Sequence, residues 1–221
     1  MIFRDRREAG HCLAERLFFL RDQRHLIVLG IPRGGVVVAA EIARALGAPL
    51  DVVIAHKIGA PFNPELAIGA LASDGPVLLD TELMNQLHLN ERDIAKEIEA
   101  ERAEIARRLE HFRPHRPPLD VKNKAVVVVD DGVATGSTML AALRALRAHK
   151  PAMVILAIPV GPPEVVEMLT HECDRAVVLD TPDPFWAVGR FYRRFEQTED
   201  ETVVKLLEEA ETSRSGDLVT E

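Results

Sequence analysis

The chain reads as an α/β fold built on a mostly parallel sheet wrapped by helices. Three observations predict it. Short Val- and Ile-rich runs show little alternation of apolar and polar residues, the mark of parallel strands covered on both faces. Helical patterns lie between those runs. The chain has 221 residues, 47% of them hydrophobic and 28% charged, which is enough to bury one core of ordinary domain size.

The strands expected in chain order are Leu26–Gly30, Asp51–Ala55, Val77–Leu79, Ala125–Val129, Met153–Ile158 and Ala176–Leu179. Helical patterns cover 35–46, 138–149 and 162–170. A longer helix is expected over 90–112, where Ile94, Ile98, Ile105, Leu109 and Phe112 recur at helical spacing. Asn90 to Asp93 resembles a capping box at its start. Glu104 is spaced to pair with Arg107 or Arg108. The proline-rich run Arg113–Pro118 ends that helix as a linker. Residues 180–198 hold Phe185, Trp186, Phe191, Tyr192 and Phe195 after two prolines, and are expected to be irregular. The polar tail from about Thr212 is expected to fray.

The balance of 27 basic against 35 acidic residues, a net charge of −8, argues against a nucleic-acid coat or an anionic membrane surface. Apolar runs reach about eight residues, against roughly 20 for a membrane helix. The first residues carry charges where a signal peptide needs an apolar run. Cys12 and Cys173 form no CxxC pattern and suit a reducing cytoplasm, so a cytoplasmic protein is expected. His111 and His115 are four apart, but Pro114 breaks the face between them, and no histidine metal site is expected.

One stretch carries chemistry: Val126 to Val129, then Asp130, Asp131, Gly132, Val133, Ala134, Thr135, Gly136, Ser137 and Thr138. A buried strand delivers two adjacent carboxylates to its C-terminal end, where ligands of open α/β sheets bind. The small residues after them lead into a helix N-terminus, whose free N–H groups and dipole favour an anion. Gly136 admits close backbone approach, and Thr135, Ser137 and Thr138 add hydroxyls. Two acceptors for neighbouring hydroxyls beside an anion cradle fit a sugar phosphate. There is no GxxxxGK[ST] loop, and Gly30 to Gly35 lacks the GxGxxG spacing.

The stretch 126–138 resembles the phosphoribosyl-pyrophosphate (PRPP) signature of the type I phosphoribosyltransferases, and the resemblance extends over about residues 1–210. It implies that family's fold: a central, mostly parallel five-stranded sheet flanked by helices, with a small hood at about 159–198. The helix at 90–112 is extra relative to that minimal fold, and 211–221 stands outside the domain as a polar tail. Asp130 and Asp131 would hold the ribose hydroxyls, and Ala134, Thr135, Gly136, Ser137 and Thr138 the 5′-phosphate. Arg33, Gly34, Gly35 and Lys57 would meet pyrophosphate, with Lys57 also counted as catalytic. The family's loop implies a cis peptide between Arg33 and Gly34. Residues 58–76 would form a loop closing over the site. His56 stands where an Arg is common, so only Lys57 is carried over. Ala134 stands where 6-oxopurine enzymes place an Asp.

The activity implied is transfer of the phosphoribosyl group of PRPP to a nitrogenous base with release of pyrophosphate, in salvage or nucleoside metabolism. Mg²⁺ would be the cofactor, held mainly by PRPP. Phe185 is the candidate for stacking on the base. The partners would be PRPP and a base, without nucleic acid or membrane, in a protein that could form a homodimer. Two other readings stay open: a PRPP sensor that lost transfer, and a phospho-receiver domain with an acidic pocket at Asp130–Asp131.

Overall fold

A computed structural model describes residues 1–72, 77–114 and 117–217. Its centre is a five-stranded, wholly parallel sheet in the order β2-β1-β6-β7-β8, with β1 at Leu26–Gly30, β2 at Leu50–Val52, β6 at Ala125–Val129, β7 at Met153–Val160 and β8 at Arg175–Asp180. Every residue of β1 and β6 is buried, which is why these strands show no alternation. Helices α1 (Arg6–Arg16), α2 (Gly34–Leu46), α5 (Ser137–Ala148) and α6 (Pro163–Thr170) surround the sheet.

Helix α1 escapes a periodicity reading because its inner face is made of small residues, Ala9, Gly10 and Ala14, with Leu13. A Cβ at Gly10 would lie 2.8 Å from the carbonyl oxygen of Val38, so the glycine lets α1 lie directly on α2. Between the two helices the buried carboxylate of Glu41 accepts from Arg7 at 2.9 Å and pairs with His11 and Arg44.

The expected strand Asp51–Ala55 is divided. The chain leaves the sheet after Val52, and Ala55 opens β3 (Ala55–Ala60), which pairs antiparallel with β4 (Asn63–Ala72). The expected strand at Val77–Leu79 is β5 (Leu78–Leu79), on the edge of this second, three-stranded sheet. Most of the loop expected at 58–76 is therefore a hairpin, while Ser73–Pro76 lie outside the described residues. The hairpin shows no clean period-two signal because Ile68, Ala70, Leu71 and Ala72 are all buried and the β3–β4 pairing is irregular at Ile58–Ala60.

The helix expected over 90–112 is α4, Ala95–Phe112, preceded by α3, Thr81–Gln86. Asp93 accepts from the Asn90 N–H at 2.9 Å, but this closes a separate turn one step before the helix. Arg107 grips Glu104 through two nitrogens, at 2.9 and 2.8 Å. Ile105, Leu109 and Phe112 are its buried face. In the linker after it, Arg113 pairs with buried Asp51 at 2.9 Å, while His115 and Arg116 lie outside the described residues. The tail does not fray from Thr212: helix α7 runs Asp200–Asp217, with Val203, Leu206 and Leu207 buried. Among the described residues no helix is long and apolar enough to cross a membrane.

Candidate active site

Strand β6 delivers Asp130 and Asp131 to the C-terminal edge of the sheet, beside the loop after β1. The approach is close. A Cβ on Gly34 would fall 1.9 Å from Asp131 Oδ2, and one on Gly35 would fall 2.8 Å from the Asp130 Cα. Only residues without side chains fit against the acidic pair here. The non-proline cis peptide of this loop joins Pro32 to Arg33, one bond earlier than the Arg33–Gly34 position expected. Arg33 then caps α2 with helical backbone angles, and Gly34 is already the first residue of the helix.

The two carboxylates share one confined volume. Asp130 Oδ1 accepts from the Asp131 N–H at 2.8 Å. Burial foremost, then the neighbouring Asp131 charge, pushes the Asp130 carboxyl well above the usual carboxylate range. Burial also raises Asp131, against the opposing pull of Arg6, whose Nε donates to Asp131 Oδ2 at 2.6 Å. Tyr192 donates its hydroxyl to the Asp131 carbonyl oxygen at 2.6 Å. Burial and the nearby acids raise the Tyr192 phenol further, so it stays neutral and donates.

After the acids the chain turns through Gly132 and Gly136, both with positive φ, into α5. Gly136, at φ 74°, is the N-cap of α5, and Thr135 Oγ1 accepts only a long contact from the Ser137 N–H, at 3.5 Å. Thr135 Oγ1 and Ser137 Oγ lie 3.2 Å apart beside it. Free N–H groups, two hydroxyls and the positive end of a 12-residue helix meet here, with Ala134, Thr135 and Thr138 exposed. The conformation of Gly136 serves packing as well: a Cβ would meet Val165 of α6 at 2.7 Å.

A cavity of about 540 Å³ opens next to this helix start, within the range of small-ligand sites. Pro32, Lys57, Ser137 and Thr138 line it, so the structure gathers three of the expected binding residues around one space. Its far wall is the part that sequence reasoning missed. Helix α4 contributes Glu97, Glu101 and Arg108; Glu101 pairs with His56 Nδ1, and Arg108 lies 3.4 Å from His56 Nε2. The other missed residues are Arg6 and Tyr192. No local motif marks any of these five, although the run Arg4-Asp5-Arg6-Arg7 was a visible concentration of charge.

Two expected residues stand apart. Arg33 points to α7, where its Nη1 lies 3.6 Å from Asp200. Phe185 sits in the segment after β8, half-buried and stacked on Phe191 with centroids 5.4 Å apart. Among the described residues no cluster of three or more His, Cys, Asp and Glu is placed to hold a metal ion.

Comparison with known proteins agrees with this architecture. A family model described as "Phosphoribosyl transferase domain" matches residues 7–193. A Mycobacterium tuberculosis (strain H37Rv) protein provisionally named a phosphoribosyl transferase is 43% identical over 209 residues, covering 95% of this chain and 47% of that protein. Its counterpart in strain CDC 1551 matches equally. This chain thus spans about half the length of the curated relatives it matches. The crystal structure of TT1426 from Thermus thermophilus is 44% identical and superposes with a TM-score of 0.88, over 95% of this chain and 99% of that one. With the matched residues running from the first helix to Arg193, the chain belongs to the phosphoribosyl transferase domain family.

Proposed function

We propose that the protein transfers the 5-phosphoribosyl group of PRPP to a nitrogenous base and releases pyrophosphate. The observation that carries this reading is the convergence at one sheet edge of Asp130 and Asp131, the side-chain-free loop Gly34–Gly35 and the open start of α5. That order of groups suits a ribose diol flanked by a phosphate on one side and a pyrophosphate on the other.

The reaction breaks the C1′–O bond and leaves oxocarbenium-like charge on the ribose. Catalysis is then mostly positioning and stabilisation of the leaving group. Asp130 and Asp131 accept the 2′- and 3′-hydroxyls and favour the cationic ring. The amides and hydroxyls of 134–138 hold the 5′-phosphate. Arg33, the Gly34–Gly35 amides and Lys57 meet the departing pyrophosphate, with Arg108 on the opposite wall of the cavity. The β3–β4 hairpin, which carries Lys57, covers the site and excludes water that would otherwise hydrolyse PRPP.

The donor set fits Mg²⁺. The phosphate oxygens of PRPP would hold most of the ion, and the adjacent carboxyl oxygens of Asp130 and Asp131 at the sheet edge are hard donors that would suit the rest of its shell with water. When bound, Mg²⁺ neutralises charge on the pyrophosphate. The reading extends to a cytoplasmic enzyme of nucleoside metabolism, with a homodimer as its assembly and Phe185 toward the base.

The test is pyrophosphate release from Mg-PRPP with a panel of nucleobases. Turnover with one base supports the enzyme. PRPP binding without turnover on any base supports the sensor reading, and absence of PRPP binding overturns both.

A further inference from the structure

Arg6 belongs to no motif, yet it reaches the acidic pair directly and ties it to the hood. It opens α1, whose N-cap Asp5 accepts from the Glu8 N–H at 3.1 Å, and this fixes where the Arg6 side chain leaves the helix. Its Nε donates to Asp131 Oδ2 at 2.6 Å, and its Nη1 donates to the Glu196 carbonyl oxygen at 2.8 Å. The face of its guanidinium lies over the Phe195 ring, 3.9 Å from the centroid. Phe195 stacks in turn on Tyr192, at 5.0 Å, whose hydroxyl returns to the Asp131 backbone. Arg6 and Asp131 expose only 12% and 15% of their side chains, so water screens the pair weakly.

The planar guanidinium thus uses an edge on the acid, another nitrogen on the hood backbone and its face on a hood ring. An ammonium could not make all three contacts. The contacts also make the two acids unequal. Asp131 has one oxygen committed to Arg6, whereas Asp130 has no basic partner among the bonds described: it accepts from the Asp131 N–H and its carboxyl meets that of Asp131.

We infer that Arg6 is the positioning residue of the ribose subsite: it fixes the rotamer of Asp131 and ties it to the hood, so that Asp131 presents its remaining oxygen to a ribose hydroxyl. The inference rests on the reading of 130–138 as a ribose-phosphate site. It goes further in giving the N-terminal helix a part in recognising the diol and in assigning the two carboxylates different roles. A charge-assisted hydrogen bond that orients such a group is worth about tenfold or more in affinity.

The experiment titrates the full chain with ribose 5-phosphate, 2-deoxyribose 5-phosphate and inorganic phosphate, for the wild type, Arg6→Gln and Arg6→Lys. The wild type should prefer the ribose to the deoxyribose ligand. Arg6→Gln should lose most of that preference, a change of about tenfold, while inorganic phosphate, which has no hydroxyl for Asp131 to accept from as a ribose diol does, binds within about twofold of wild type. Arg6→Lys should recover part of the preference, which a merely structural role would not produce, and it keeps the inference testable if the Gln variant folds poorly. Retention of the full preference in both variants overturns the role of Arg6 and leaves the site reading intact. Absence of any preference in the wild type overturns the diol site itself, and the role of Arg6 with it.

Discussion

The guanidinium of Arg33, in the loop after β1, lies 3.6 Å from the carboxylate of Asp200 in the first turn of α7, and the same carboxylate is 3.4 Å from His111 Nε2 at the end of α4. The residue proposed to meet pyrophosphate is therefore tethered to two helices outside the cleft. Arg33 is 35% and Asp200 41% exposed, so the tether is weak, about 0.2–1 kcal/mol. Asp200→Asn should release Arg33 toward its anion and tighten PRPP by about 1.5- to 5-fold, an effect that shrinks as salt is raised. Calorimetric titration at two ionic strengths checks it; unchanged affinity at low salt would leave Arg33 without a part in binding.

Asp130 sets function against stability. Its folded pKa is raised, so it favours the fold while protonated, below about pH 4, and that contribution is lost as pH rises through the folded value. At higher pH the burial that disfavours its ionised form becomes a cost to the fold. Asp130→Asn should raise Tm at neutral pH, by about 2–4 °C for each kcal/mol relieved, and the gap should close on acidification. The same variant, like Asp131→Asn, should lose at least about tenfold in PRPP turnover. Thermal melts from pH 3 to 8 beside steady-state rates test both halves, and a variant of unchanged activity would place Asp130 in the scaffold only.

Gly34 has no room for a side chain. A Cβ there would collide with Asp131 Oδ2 and come within 2.7 Å of Arg6 Nε. Gly34→Ala should force Asp131 off its Arg6 contact and weaken PRPP by about tenfold or more, while the five-stranded sheet keeps its far-UV circular dichroism. Wild-type affinity in this variant would show that the two loops separate freely.

Phe191 is stacked on one face of Phe185, with rings 19° from parallel, so a base could stack only on the opposite face. If that face receives the base, Phe185→Ala should raise the Michaelis constant for the base roughly 5- to 150-fold, the equivalent of about 1–3 kcal/mol of stacking, and leave that for PRPP nearly unchanged. Equal losses for both substrates, with a lower Tm, would make Phe185 a packing residue of the hood.

The sequence by itself determined the parallel core and the centre of the site. Val126–Val129 could only be a strand covered on both faces, and the residues after Val129 had to lie at its carboxyl end. Asp130 to Thr138 are consecutive, so their chemistry is local and readable. The hairpin β3–β4 was hidden, since Ile68, Ala70, Leu71 and Ala72 are all buried and its pairing is irregular, which leaves no alternation to read. Helix α1 was hidden because small residues bury against α2 without leaving an apolar stripe. Arg6, Tyr192 and Arg108 could not be found from spacing at all. Arg6 is 125 residues from Asp131 and Tyr192 is 61, and such contacts exist only once helix, hood and sheet have packed. The identity of a ligand-contacting loop is a property of adjacent residues. The choice of the charge beside a buried acid belongs to the whole fold, because burial, not sequence neighbourhood, decides which partner the acid requires.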